Sequence, residues 1–250
     1  MNSLKIIIPC YNCEEWIAKT IESIKTQDYE NFECIIIDDI STDSTSEVIT
    51  DNIKDDSRFT FVKNKEKKYA LKNIIDGIGL ISKDKEDIII TVDGDDWLYN
   101  NKVFSKVVEC YEEHKCLITY GCFVEYPTGI THPYYMSSYN MDVLEKCLFR
   151  DVPWKASHLR TFKKKLFDLI KEEDMIDPAT GKHYDVAWDL VFMYPMLEMA
   201  GIRSRHIPEI LYVYNKENPL SDMYIKEQQQ LEIARQVRCK PKYERVDFET

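Results

Sequence analysis

Four short runs of apolar, mostly β-branched residues punctuate the first hundred positions: Leu4 to Ile8, Phe32 to Ile37, Phe59 to Val62 and Ile88 to Val92. Hydrophobicity within them is continuous rather than alternating, the pattern of strands covered on both faces. Between them, Trp16, Ile17, Thr20, Ile21 and Ile24 recur at helical spacing, as do Ala70, Ile74 and Ile78. Strand and helix in alternation predict right-handed crossovers and a mainly parallel sheet flanked by helices, an α/β fold. Ligands of such sheets settle at the carboxyl ends of the strands. The loops to inspect are therefore Pro9-Cys10-Tyr11-Asn12, Asp38-Asp39-Ile40-Ser41 and Asp93-Gly94-Asp95-Asp96.

Beyond Trp97 the pattern loosens into a helix, an aromatic-rich strand or loop from Tyr120 to Tyr139, and helices beginning near Met141, Lys163 and Val186. No Pro-, Gly- or Ser-rich linker separates this half. The expected organisation is one domain over residues 1–250, with a nucleotide half at 1–98 and an irregular acceptor half at 99–250.

The most informative stretch is the hydrophobic strand that ends in Asp93, Asp95 and Asp96. Carboxylates so close raise one another's pKa unless something neutralises them, and a divalent cation does so. Oxygen ligands favour Mg²⁺ or Mn²⁺, which share their remaining positions with substrate phosphates. Asp93 and Asp95 are the expected metal ligands, Gly94 leaves room for a sugar or ribose to approach, and Asp96 can instead cap the next helix.

Composition narrows the alternatives. The 250 residues are 44% hydrophobic and 31% charged, ordinary globular material, with a formal charge of −11 that argues against a nucleic-acid partner. Eight cysteines do not make a disulfide framework in a chain of this size. Cys10-x-x-Cys13 lacks the second pair that a zinc site needs. With no secretory signal, no Asn-x-Ser/Thr sequon and no transmembrane segment, the expectation is a soluble, reduced, cytoplasmic protein. Gly77-Ile78-Gly79 fails the dinucleotide fingerprint, and neither a P-loop nor a serine-hydrolase elbow occurs. The basic tail of Arg235, Arg238, Lys240, Lys242 and Arg245 reads as a solvated face, with an acidic acceptor or membrane surface as the other reading.

The segments from Leu4 to Asn12, from Phe32 to Thr45 and from Asp93 to Asp96 resemble, in order and spacing, the three motifs of the family-2 glycosyltransferases with the GT-A fold. The resemblance is strongest over residues 4–98 and extends to about residue 221, through Trp188-Asp189 and the string from Ile207 to Asn215. It implies a metal-dependent inverting transfer from a nucleoside diphosphate sugar, expected to be a UDP-sugar, to a hydroxyl of a glycan, protein or lipid. It implies that Pro9 and Tyr11 line the base and ribose pocket, that Asp39 accepts from the base, and that Lys72 lies near the nucleotide. Ile40 stands where the family has Gly.

His158, with the cations Lys155 and Arg160 beside Trp154 in the string from Trp154 to Phe162, suits a phosphate or sugar edge; His158 alone equally suits an ordinary structural role. Tyr120, Phe123, Tyr126, Tyr134, Tyr135 and Tyr139 are core residues or acceptor-stacking surfaces. By resemblance, Asp189 opens the family's acidic helix and is the expected general base, with Asp185 as helix cap. The competing functions are a non-catalytic nucleotide-sugar-binding protein and a nucleotidyltransferase; the loop after the first strand lacks the Gly-rich, basic character of the latter.

Overall fold

The computed structural model describes residues 2–220 and 226–248; residue 221, where the resemblance ends, lies outside them. The four apolar runs form β1 (Leu4–Cys10), β2 (Phe32–Asp38), β3 (Phe59–Lys63) and β4 (Ile88–Thr91), linked by helices α1 (Ile17–Lys25), α2 (Thr45–Ile53) and α3 (Tyr69–Ile81). The continuous hydrophobicity of β1 has a direct cause. Ile7 packs into a core shared with Leu71 and Ile74 of α3, whereas Ile6 and Ile8 point the other way, toward Ile17, Ile21 and Ile24 of α1.

The second half adds β5 (Trp97–Leu98), α4 (Val103–His114), β6 (Ile118–Tyr126), α5 (Met141–Lys146), β7 (Arg160–Lys163), α6 (Lys164–Phe167), β8 (Ile176–Asp177), β9 (Lys182–His183), α7 (Trp188–Ala200), β10 (Ser204–Asn215) and α8 (Glu227–Cys239). Strands from both halves share one sheet in the order β3-β2-β1-β4-β7-β6-β10-β5. Its parallel pairs are β2 with β3, β1 with β2, β1 with β4, and β6 with β10. β7 enters antiparallel between β4 and β6, setting Arg160 opposite Thr91, two residues before Asp93. The strand order reverses at β1, so the ends of β1 and β4 open a crevice at one edge.

Helix α3 lies tight on this sheet because Gly77 has no side chain: a Cβ there would stand 2.7 Å from Ile7 Cγ2. Helix α7 is buried all round from Leu190 to Ala200. Within it Glu198, fully buried, accepts from Arg150 Nε at 2.5 Å and Nη2 at 2.9 Å.

The basic tail is not a free face. Arg238 donates to the carbonyls of Arg150 (2.8 Å) and Val152 (2.9 Å), Lys242 pairs with Asp151 (2.6 Å), and Arg245 reaches the carbonyl of Glu145 (2.6 Å). These cations strap residues 226–248 to the body of the fold, which removes most of them from any acidic partner. Arg235, Lys242 and Arg245 are exposed, and of the five only Arg235 has no such partner among the described residues.

Of the candidate aromatic residues, Tyr120, Phe123 and Tyr139 are buried, and Tyr120 receives the Tyr139 N–H at 3.0 Å. No helix among the described residues is long and apolar enough to cross a membrane.

Candidate active site

A cavity of about 970 Å³ lies along the carboxyl edge of the sheet and receives all three loops singled out above. Its first end is built by β1 and β2. The loop after β1 is tied to the loop after β2: the Asn12 N–H donates to Ser41 Oγ at 2.9 Å, and Asn12 Oδ1 accepts the Thr42 N–H at 2.8 Å. Pro9 lines the cavity as a buried residue, and Tyr11 is left 42% exposed on its wall. Ile40 has φ 62°, a left-handed conformation that glycine adopts without strain and a β-branched residue disfavours.

Asp39 is buried and bonded on both oxygens. Oδ1 accepts from Asn64 Nδ2 and the Lys68 N–H, and Oδ2 from the Tyr69 N–H, each at 2.8 Å. Burial pushes its pKa up, but the Lys68, Asn64, Tyr69 and Asn73 hydrogen bonds outweigh that and hold it below the ordinary carboxylate range. Lys68 and Tyr69 begin α3, so Asp39 supplies its N-terminal amides with an anion.

Lys72 does not belong to this end. Its ammonium pairs with Asp76 at 2.5 Å, one turn along α3, and it does not line the cavity. The cation present is Lys67, 2.9 Å over the Tyr11 ring centroid and 3.5 Å from Asp39 Oδ2. The resemblance put Lys72 near the nucleotide; of the two lysines it is Lys67, in the turn before α3, that lines the cavity.

The acidic turn occupies the middle. Gly94 lines the cavity and is also required by packing, since a Cβ there would meet Cys10 Cβ at 2.5 Å and the Pro9 carbonyl at 3.2 Å. Asp96 caps no helix: Oδ1 accepts the Asn215 N–H at 2.7 Å, and Oδ2 is buried without a partner among the described residues. Burial, then the charges of Asp95 and Asp93, push its pKa well up.

Asp93, Asp96 and His158 each direct a ligand atom into one cluster, all within 4.8 Å of one another. Asp95, expected beside Asp93, stands apart from that cluster and accepts from Asn218 Nδ2 at 2.7 Å, although it lines the cavity. Burial pushes the Asp95 pKa up, against the Asn218 hydrogen bond. His158 stacks on Tyr212 with ring centroids 4.5 Å apart, and its Nδ1 is buried without a partner. Burial and nearby Arg160 hold its pKa well below the usual value, so the imidazole is neutral and able to ligate. Buried partnerless lone pairs beside grouped carboxylates fit a hard divalent cation such as Mn²⁺ or Mg²⁺.

The third part lies at the start of α7. Asp189 stands in its first turn and lines the cavity. Asp185 caps nothing: the residue at the helix start is Ala187, left-handed at φ 48°, and Asp185 instead accepts from Lys226 (3.0 Å) and Gln229 (3.2 Å), fastening α8. Arg160 Nη1 reaches Asp189 Oδ2 at 3.2 Å, and Nη2 reaches Asp93 Oδ2 at 3.5 Å. Sequence reasoning gave no individual role to Arg160, Lys67, Tyr69, Asn215 or Asn218. Arg160 was read only as one of two cations suited to a phosphate or sugar edge, and Asn215 lay inside a string already singled out; nothing in their spacing pointed to Asp189 or Asp96.

The fold and the cavity define a GT-A protein. Residues 1–349 of the TarS protein of S. aureus, in a structure with UDP-GlcNAc, superpose with a TM-score of 0.69 at 15% identity, over 94% of this chain and 65% of that fragment. The mannosyltransferase PcManGT of Pyrobaculum calidifontis, with GDP-Man and Mn²⁺, superposes at 0.62 and 15% identity, over 96% of this chain and 65% of its own. Residues 5–192 match glycosyl transferase family 2, and the chain belongs to that family. Among curated relatives, the Escherichia coli UDP-Glc:alpha-D-GlcNAc-diphosphoundecaprenol beta-1,3-glucosyltransferase WfaP is 37% identical over 123 residues, 48% of this chain and 46% of WfaP. The chain spans less than half the length of that relative.

Proposed function

We propose that this chain transfers a sugar from a UDP-sugar to a hydroxyl acceptor, with inversion, in the cavity at the carboxyl edge of the sheet. The observation that carries the reading is that one cavity collects the acidic turn and Asp189, with Arg160 between them. A UDP donor is favoured by the UDP-GlcNAc bound to TarS and by the donor in WfaP's name, against the GDP-Man of PcManGT.

Tyr11 and Tyr69 offer rings for the base end, with Lys67 between them and Asp39 holding the turn that carries Lys67 and Tyr69. Asp93, Asp96 and His158 would hold Mn²⁺ or Mg²⁺, which when bound supplies Lewis-acid stabilisation of the departing diphosphate. Asp189 takes the proton of the acceptor hydroxyl as the hydroxyl oxygen attacks the anomeric carbon from the face opposite the diphosphate, which leaves with the electrons of the broken C–O bond. One base suffices here, unlike a glycosidase, where a second carboxyl must protonate the leaving group. The glycan, protein or lipid that carries the hydroxyl is read by the walls around Trp154, Trp188 and α8.

A thermal-shift panel of UDP, GDP and their sugars with Mn²⁺, Mg²⁺ or EDTA tests this, because a ligand of the native state raises its stability by mass action. UDP-sugars should stabilise the protein only with the cation present. Equal shifts in EDTA, or none with any nucleotide, would overturn the reading.

A further inference from the structure

Arg160 is a guanidinium only 3% exposed, and a buried cation is costly unless paired. Its backbone is fixed in β7 by pairing with Thr91, its Cζ lies 4.9 Å from the Trp188 ring centroid, and its Nε has no partner among the described residues. All of its charge pairing is therefore spent inside the cavity, one fork nitrogen toward Asp189 and the other toward Asp93. Asp189 is differently placed. It sits in the first turn of a helix that starts from left-handed Ala187, with its side chain 25% exposed. Nothing else described here fixes which way that carboxylate turns.

We propose that Arg160 is a positioning residue, which fixes the Asp189 carboxylate toward the acceptor and sets its distance from the acidic turn. The inference rests on Asp189 being the base. A carboxylate that must meet a hydroxyl proton in line with the anomeric carbon tolerates little displacement, since misplacement of about 1 Å costs on the order of a hundredfold in rate. The planar fork reaches two carboxylates at once, whereas a lysine in its place reaches one. Because Arg160 belongs to the sheet rather than to α7, it gives the base a reference to the donor side of the cavity that the helix alone does not provide.

The test reads UDP release from UDP-glucose and UDP-N-acetylglucosamine, with water and methyl glycosides as acceptors, beside calorimetric UDP affinity in Mn²⁺. In Arg160→Lys, kcat should fall roughly tenfold to a hundredfold while donor KM and UDP affinity move less than about threefold. In an Asp189→Asn background the same change should cost less than about threefold, since the group it orients is gone. Arg160→Met, which removes the charge, should show the same split, and a melting curve on each variant separates misfolding from mispositioning. A loss of UDP affinity as large as the loss of kcat, penalties that multiply in the double variant, or an unchanged kcat in both single variants would each overturn the proposal. Full activity in Asp189→Asn alone would instead remove the base assignment, a separate failure.

Discussion

The Tyr69 N–H donates to Asp39 Oδ2 at 2.8 Å, so a carboxylate at the end of β2 starts the helix that follows β3. Asp39 thus builds this end of the cavity from within, whatever it also offers to a ligand. Asp39→Ala should cost about 1–3 kcal/mol of stability, the scale for orphaning buried donors, and weaken UDP binding together with it. Because its pKa is depressed in the fold, its contribution is present above the ordinary carboxylate range and is lost as pH falls through the folded value. Melting curves from pH 7 downward should therefore converge for parent and variant in strong acid; parallel curves would refute the assignment.

Ile40 gives a second expectation. A left-handed β-branched residue is strained by roughly 1–2 kcal/mol, and relief of that strain offsets the apolar contact and chain entropy lost with glycine. Ile40→Gly should accordingly stay within about 1 kcal/mol of the parent, where truncating an unstrained, well-packed isoleucine costs about 2–5. A chemical denaturation loss in that larger range would show that the site bears no strain.

Asp96 carries an electrostatic conflict that a cation would resolve. Its carboxylate is buried beside Asp93 and Asp95, and its raised pKa means that the cation-free native state binds a proton more tightly than the unfolded chain does. Stability therefore falls as pH rises from the unfolded toward the folded pKa, and the full penalty persists above it. Asp96→Asn keeps an oxygen for the Asn215 N–H and removes the charge. In EDTA at pH 7 it should be more stable than the parent, since the penalty of the buried charge is gone. With Mn²⁺ and UDP it should show no cation-dependent shift. A variant that is less stable in EDTA yet still responds to Mn²⁺ would place the cation elsewhere, with Asp95 the next candidate.

What was legible in the sequence follows from how local each signal is. β1, β2 and β4 could be read because burial on both faces makes every residue apolar, and the carboxyl-edge rule then located Tyr11, Asp39 and the acidic turn. Arg160 could not be read, because its meaning depends on β7 running antiparallel between β4 and β6, a long-range register that no local pattern encodes. Asn218 meets Asp95 across 123 positions for the same reason. Lys67 and Lys72 look alike in sequence, and only the turn that Asp39 organises decides between them. α8 was missed because just Ile233 and Val237 are buried in it, too few to make a stripe.

The final prediction concerns Asp189 against Asp185, four positions apart and both on the cavity wall. A general base needs a free acceptor lone pair, a fixed position and access to the acceptor. Asp185 spends its two oxygens on Lys226 and Gln229, which serves to hold α8 in place. Asp189 has one described partner, Arg160 at 3.2 Å on Oδ2, and Oδ1 has no described partner on that side. Asp189→Asn should therefore lower transfer, read as UDP released from the UDP-sugar, by about a hundredfold or more, the usual scale for a lost base. UDP affinity in Mn²⁺ should stay near the parent's, because Asp189 is not in the cation cluster. Asp185→Asn should show the reverse emphasis: a lower melting temperature from loosening of α8, with kcat nearly retained. If Asp185→Asn abolishes transfer while Asp189→Asn keeps it, the base is Asp185 and the contact with Lys226 must break when substrates bind.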